Sequence, residues 1–422
     1  MHVFFQVSGN PTYQALAPKH DKFGPTMLGL DEKQWRQRCA GYPIPRSLQK
    51  SVTRSLLVVI VCACPYVYAQ PQTVNVTKIK LDVYGWQSVP KRRELFGRQF
   101  SQNLWLDHKG RVLVGFAVRE SDALATREHP ERSFHIMRFT AEGKLDLSVA
   151  LPTNSWYTNA LYLGPDDQIL ARANDRLQFF SEDRNQGKSG SWQLLAPCPE
   201  TCSISQSFSL RTLILNASPL VGGRDGAAYV ILDASSSPPH VVRTCSQMAS
   251  MQITDKFAYR THYDRDDDLT VRFPFCDVEH YEEFPMWGKG GWRYILNDQT
   301  LLKIGDTKGG QFTADLIGAN GQVKFSKEMP KHDSIDPSKI TTDERYDRFA
   351  FMVNTERGAH PRLDIGGQLV ARRVLVLDAI GKELASIPTE TPYHRDFNFS
   401  MSPDGHCLAI LDEGVVTVVE LQ

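Results

Sequence analysis

The sequence predicts an all-β protein built from repeated units, and its last stretch, Asp396–Gln422, shows the unit most plainly. Three short apolar segments, Phe397–Met401, Cys407–Leu411 and Val415–Leu421, have the composition of strands. The turn Ser402-Pro403-Asp404-Gly405 separates the first two, with an Asp that caps the turn and a Gly suited to positive φ. Similar strand–turn–strand units recur through residues 71–422 at spacings of roughly 40 to 55 residues, the period of β-propeller blades.

The repeats divide the chain into seven expected blades, of which the last has only three strands. The units are Leu95–Thr153, Asn154–Cys202, Ser203–Ser246, Gln247–Met286, Trp287–Ser334, Ile335–His394 and Arg395–Gln422. The alternating strand Val74–Leu81 belongs to no unit, so we expect it to complete the last blade by pairing with Val415–Leu421, which closes the ring and hides its edges. Six blades remain an alternative, because Gln247–Met286 is irregular.

The turn motifs also carry a family resemblance. Asp107-His108-Lys109-Gly110 and Asp378-Ala379-Ile380-Gly381 are weaker copies of the turn at Ser402–Gly405. On these motifs residues 71–422 resemble the broad group of secreted WD-repeat-like, NHL-like and TolB-like β-propellers. The Gly-His and Trp-Asp pairs of true WD repeats do not bracket the units here. The resemblance therefore implies an architecture and no particular partner.

The N-terminal part of the chain has a different character. Residues 1–50 show no periodicity, and we expect a poorly ordered extension or a segment that is not translated. Residues 51–69 look like a signal peptide: Lys50 and Arg54 provide the positive charge, Leu56–Ala63 the apolar region, and Ala69 a small residue before the cleavage point. The mature protein, residues 70–422, is then expected to begin at Gln70 and to be secreted or periplasmic.

Three interpretations of this late signal stay open. Translation could start downstream, near Val52, or the extension could be cytoplasmic and followed by an uncleaved anchor. In a third, the segment Val61–Cys64 is a degenerate lipoprotein box with Cys64 lipidated. The apolar run is shorter than the ~20 residues that span a bilayer, so we expect a mature form without a transmembrane span, and a monomer.

Composition limits the possible partners and the disulfides. Lys plus Arg and Asp plus Glu number 48 each, a balance without the basic excess that favours nucleic acid. Of the eight cysteines, five lie in the expected mature part, so at least one stays unpaired within the chain. The spacing of Cys198 and Cys202 is compatible with a local disulfide or with two loop thiols.

No motif predicts a cofactor, a metal or a catalytic centre. The acidic run Asp264–Asp268 lacks the Gly and the final Glu of a calcium loop, and we interpret it as a solvated hairpin between Phe257–Thr261 and Leu269–Phe273. No Gly-x-Ser-x-Gly elbow and no His pair with metal spacing is present. We expect no cofactor, and the catalytic residues, if there are any, are not identified by the sequence.

The expected binding surface is the face of the ring where the loops between blades meet the mouth of the central channel. Aromatic and arginine side chains there are the types enriched at binding hot spots. The predicted ligand- or partner-binding residues are Arg98, Trp156, Tyr157, His394, Arg395 and Asp396. The sequence thus favours an extracytoplasmic binding or scaffold protein for a protein or carbohydrate. The alternative is a secreted lyase or hydrolase, acting on a polysaccharide or small ester, whose site combines residues from several blades.

Overall fold

The computed structural model of the chain confirms a seven-bladed β-propeller. The structure describes residues 75–86, 103–119, 132–153, 160–182, 190–198, 202–217, 228–246, 252–263, 268–277, 279–284, 291–306, 310–318, 320–357, 368–389 and 398–421. The chain divides into two compact units, Met1–Gln72 and Thr73–Gln422, and all described residues belong to the second. The expected extension and signal peptide lie outside the described residues and stay predictions.

The described residues form short strands and one 3-10 helix, Asp82–Tyr84. The strands, in chain order, are β1 (Val76–Lys80), β2 (Leu104–Leu106), β3 (Val112–Arg119), β4 (Arg132–Phe139), β5 (Leu145–Thr153), β6 (Ala160–Leu163), β7 (Ile169–Ala173), β8 (Arg176–Glu182), β9 (Gly190–Pro197), β10 (Ser203–Gln206), β11 (Thr212–Ala217), β12 (Ala228–Asp233), β13 (His240–Cys245), β14 (Gln252–Ile253), β15 (Phe257–Tyr263), β16 (Asp268–Pro274), β17 (Glu282–Phe284), β18 (Trp292–Asn297), β19 (Thr300–Asp306), β20 (Phe312–Gly318), β21 (Val323–Glu328), β22 (Asp333–Thr342), β23 (Arg348–Arg357), β24 (Gln368–Asp378), β25 (Glu383–Pro388), β26 (Asn398–Met401), β27 (Cys407–Asp412) and β28 (Val415–Glu420). Among the described residues no helix is long and apolar enough to cross a membrane.

Each blade is an antiparallel sheet of four strands in sequence order, from β2–β5 as blade 1 to β22–β25 as blade 6. The first strands of neighbouring blades contact one another, as β2 does with β6 and β26, so these strands form the inner ring around the channel. The strands fall within the predicted units with one exception: β22 begins at Asp333, before the expected boundary at Ile335. Blade 4 is irregular, as its sequence indicated, because β14 has only two residues and β17 three.

The ring closes as predicted, because β1 completes blade 7 in the order β1–β28–β27–β26. The register pairs Val76 with Val419 and Lys80 with Val415. The amide of Leu81 continues the ladder by donating to the carbonyl of Gly414 at 2.8 Å. Ile79 and Leu81 are buried in an apolar cluster that contains strands of blade 1 and blade 7, so this short segment joins the two ends of the ring.

The core lies between adjacent blades, where the apolar faces of neighbouring sheets pack on each other. Between blades 5 and 6, for example, Phe325 contacts Phe349 with ring centroids 6.1 Å apart. The strand residues that face these contacts are almost all aliphatic or aromatic, as expected for sheets buried on both sides. Because every blade packs on two others, the scaffold is rigid and can hold side chains at fixed positions around the channel.

Two disulfides stabilise blades 2 to 4. Cys198 and Cys202 form a disulfide with their Cα atoms 5.3 Å apart, so of the two interpretations of the sequence the local disulfide is right and the pair of loop thiols is not. Cys245 and Cys276 form a second bond, with Cα atoms 5.4 Å apart, which links blade 3 to blade 4. Cys407 is the free cysteine among the described residues. The hairpin predicted around the acidic run is formed by β15 and β16, and residues 264–267 lie outside the described part.

Candidate functional site

One end of the ring, here named the turn face, carries the short turns between the first and second strands of the blades. These turns are Asp107–Arg111, Gly164–Gln168, Ser207–Arg211, Thr254–Lys256, Asp298–Gln299, Asp343–Asp347 and Ser402–His406. Asp107 shows the predicted turn chemistry, because its Oδ1 accepts hydrogen bonds from the amides of Lys109 at 2.9 Å and Arg111 at 2.8 Å. Gly110 takes the left-handed conformation with φ 68°, so the turn is tight and its side chains are fixed.

Two turns place a large side chain where blades 1 and 7 have Gly. Gly110 and Gly405 close their turns by donating an amide hydrogen three residues back, and Leu210 and Tyr346 do the same in blades 3 and 6. Leu210 has φ 63° and Tyr346 φ 58°, a conformation that costs an L-residue roughly 1–2 kcal/mol. Leu210 lines the cavity of the channel, whereas Tyr346 packs against the apolar cluster between blades 5 and 6.

The channel contains a cavity of about 310 Å³ at the turn face. Its lining comes from every blade except the fourth. The apolar part of the wall consists of Trp105, Leu106, Pro165, Phe208, Leu210, Ile340, Met401 and Pro403. The polar part consists of His108, Gln206, Ser207, Ser209, Tyr294, Lys339, Thr341, Thr342, Glu344 and Ser400.

One aromatic ring of the wall is held in place by a hydrogen bond, because the indole N–H of Trp105 donates to the carbonyl of Leu161 at 2.8 Å. A concave wall that combines apolar surface with convergent polar groups is typical of sites for small organic molecules.

A backbone bulge brings a lysine into this wall. In β22, Asp336 pairs with Met352 and Ile340 with the adjacent Phe351, so the register against β23 skips residues 337–339. Pro337 lacks an amide hydrogen and suits such an interruption. Its carbonyl accepts a hydrogen bond from the hydroxyl of Tyr294 in the neighbouring blade 5. The bulge is thus tied to blade 5 and held at the cavity.

Lys339 follows in this bulge and is half-buried, with its remaining exposed surface lining the cavity. Its Nζ donates a hydrogen bond to the amide oxygen of the buried Asn398 and lies 5.4 Å from the ring centroid of Phe399. Removal of the amine from bulk water lowers the pKa of Lys339 to about 7, because burial disfavours the charged form. A large fraction of this amine is therefore neutral, and nucleophilic, near neutral pH.

A histidine on the rim connects three blades. His108 Nδ1 lies 2.9 Å from Asp167 Oδ1, and Nε2 lies 3.5 Å from Glu344 Oε2. The amide of Glu344 donates to the carbonyl of Pro403 at 2.8 Å, which adds blade 7 to the contact. Partial burial lowers the pKa of His108, but the hydrogen bonds and charges of Asp167 and Glu344 outweigh it, and the net pKa is raised. The rim can therefore respond to pH near neutrality.

The six residues predicted from the sequence lie outside the described residues. They are Arg98, Trp156, Tyr157, His394, Arg395 and Asp396, and their role stays a prediction. Sequence reasoning missed Lys339 and His108. A signal for Lys339 was present, because Pro337 interrupts an otherwise strand-like segment and the two residues after it are polar. No group of three or more metal-ligating side chains occurs among the residues that the structure describes.

Comparisons with known proteins are informative for the fold alone. No protein-family model matches the chain, and no curated protein matches its sequence.

An uncharacterised protein from Listeria monocytogenes is similar in structure. It has 12% identity, the match covers 76% of this chain and 94% of that chain, and the TM-score is 0.45. The β-propeller domain of the Trilobed protease from Pyrococcus furiosus has 12% identity, coverages of 74% and 91%, and a TM-score of 0.46. The acylaminoacyl peptidase from Pyrococcus horikoshii has 11% identity, coverages of 75% and 49%, and a TM-score of 0.45. The seven four-stranded sheets of the chain itself show the β-propeller fold, and no specific protein is singled out.

Proposed function

We propose that this protein is an extracytoplasmic β-propeller that binds a small organic molecule in its central channel. The observation that carries the proposal is the cavity of about 310 Å³ at the turn face. This volume lies at the lower end of the range for ligand pockets, which suits a compact molecule. The apolar wall favours a ligand with an aromatic or aliphatic body, and hydroxyls such as those of Thr341 and Ser400 offer hydrogen bonds.

The cavity favours binding over hydrolysis. Hydrolysis of a glycosidic bond generally uses two carboxyl groups on either side of the bond. In the described wall of the cavity the carboxylate is Glu344, and it stands at the rim beside His108. A secreted glycoside hydrolase is therefore the less supported alternative for this site.

Export is supported by the cysteines. The Cys198–Cys202 and Cys245–Cys276 bonds are of the kind that persists in oxidising compartments and is rare in the cytosol. Together with the signal-like segment 51–69, they support a secreted or periplasmic protein. N-terminal sequencing of the mature protein tests this proposal. We expect a start near Gln70, whereas a cytoplasmic protein that begins at Met1 would contradict export.

Ligand binding can be tested with benzyl alcohol, a compact molecule with an aromatic body and one hydroxyl. Saturation-transfer NMR should detect binding to the intact protein. Ser209→Trp places a large ring at the half-buried edge of the cavity and should abolish the signal. Ile380→Trp is the matched control, because Ile380 lies in a turn away from the cavity and is 76% exposed. Equal binding by both variants would show that the channel is not the site.

A further inference from the structure

We propose that Lys339 captures carbonyl compounds in the turn-face cavity by forming a reversible imine through its side-chain amine. This inference rests on the proposed function, since it requires that small molecules enter the same cavity. It names the ligand class: aldehydes or ketones with a compact apolar body. It also adds a covalent step to a site that otherwise provides shape and hydrogen bonds.

The geometry supports this role in two ways. The bulge at residues 337–339 takes Lys339 out of the strand ladder and makes it part of the cavity wall. The hydrogen bond to Asn398 and the ring of Phe399 then hold the amine in one position. A positioned amine meets a bound carbonyl carbon without the entropy loss of a free encounter.

The apolar surroundings of Lys339 also favour the neutral, reactive form of its amine. Lysines act as nucleophiles when an apolar site lowers their pKa and leaves the amine neutral. With a pKa of about 7, about half of the Lys339 amines are neutral at pH 7. An ordinary lysine, with a pKa near 10.4, has a neutral fraction about a thousandfold smaller at that pH. Carbonyl compounds should therefore modify Lys339 well before solvent-exposed lysines.

The step balances without an oxidant or a reductant. The nitrogen lone pair attacks the carbonyl carbon, and the carbonyl π pair moves to oxygen, which takes a proton to give a carbinolamine. The nitrogen then loses its remaining protons, and the oxygen takes one more and leaves as water. A carbon–nitrogen double bond has replaced the carbon–oxygen double bond, and hydrolysis by water reverses the sequence.

The test uses benzaldehyde as the probe and sodium cyanoborohydride to reduce the imine to a stable benzylamine. The intact protein is treated at pH 7, digested and mapped by mass spectrometry. We expect a benzyl adduct on Lys339 and little on the exposed Lys382. The adduct rate should rise with pH around a midpoint of about 7. Lys339→Met, which keeps the length of the side chain without its amine, should lose the fast-forming adduct.

The results separate this inference from the proposed function. Benzyl alcohol has the same body but cannot form an imine, so its binding reports on the cavity alone. Binding of the alcohol without an adduct on Lys339, or labelling of Lys339 no faster than that of Lys382, would refute the imine and leave the binding function intact. Failure of the alcohol to bind would refute the proposed function and the imine site with it. Because the adduct is mapped in the unmodified sequence, the result does not depend on whether a variant folds.

Discussion

Replacement of Ile79 by Ala tests whether one short strand holds the ring closed. Ile79 is 3% exposed and packs in the cluster shared by blades 1 and 7. A Cβ on Gly143, in the last turn of blade 1, would lie 3.4 Å from Ile79 Cγ1, so this side chain contacts the neighbouring blade directly. Val76 lies on the same strand but is 52% exposed, and Val76→Ala is the matched control.

The expected loss follows from burial. Removing a buried Ile side chain down to Ala costs about 2–5 kcal/mol, whereas an exposed substitution stays within about 0.5 kcal/mol. A unit of about 350 residues has an unfolding entropy of about 0.7 kcal/mol per kelvin at its melting temperature. Ile79→Ala should therefore lower the melting temperature by about 3–7 °C, and Val76→Ala by less than about 1 °C.

Differential scanning calorimetry measures both variants under the same conditions. Deleting residues 71–84 is the stronger perturbation, because it exposes the edge of β28, and we expect aggregation or loss of cooperative unfolding. Indistinguishable melting temperatures for Ile79→Ala and Val76→Ala would refute the reasoning. So would a truncated protein that melts like its parent.

Three further predictions concern the rim, a disulfide and the binding surface that the sequence predicts. The pKa of His108 is higher in the folded than in the unfolded protein, so its contact with Asp167 stabilises the fold when the imidazole is protonated. This stability is fully present below the unfolded pKa of about 6.5 and is lost as the pH rises through the folded pKa. His108→Gln should therefore destabilise more at pH 5.5 than at pH 8.5 in urea unfolding, and a constant difference would contradict this. The double replacement of Cys245 and Cys276 by Ala should cost about 3–4 kcal/mol in the same assay, from the entropy of a loop of 31 residues, and an unchanged midpoint would contradict the bond. If a protein partner binds the channel-mouth surface that the sequence predicts, Trp156→Ala should weaken binding by about 1–3 kcal/mol in calorimetric titration, and unchanged affinity would remove that residue from the site.

The ring could be predicted from the sequence because local patterns and a count of strands determine it. Short apolar segments separated by Asp- and Gly-containing turns define blades, and a three-strand final unit needs the extra strand that residues 74–81 provide. The structure places that strand at Val76–Lys80, paired as expected. Hairpin turns such as Asp107–Arg111 depend on residues within the turn itself, so their chemistry is also local.

The site could not be predicted because it depends on contacts between distant residues. Lys339 meets Asn398 only because blades 6 and 7 are neighbours in the ring. Cys245 and Cys276 are 31 positions apart and belong to different blades, so five cysteines gave no unique pairing. His108, Asp167 and Glu344 come from three separate turns, and no spacing in the sequence connects them.

Several features that cost stability meet at the turn-face cavity. Leu210 adopts a backbone conformation that suits Gly, and its side chain lines the cavity. The bulge at residues 337–339, in the wall of the same cavity, interrupts the ladder between β22 and β23. Lys339 loses hydration there, which lowers the pKa of its amine.

Each of these features costs stability, and none is required to build a blade. Blade 1 has Gly110 at the position of Leu210, and its β2 pairs with β3 without a register shift. Departures from local structural preferences concentrate at functional sites, because there the position of a side chain matters more than its contribution to stability. Their convergence on one cavity is the reason to look for the ligand at this end of the channel first.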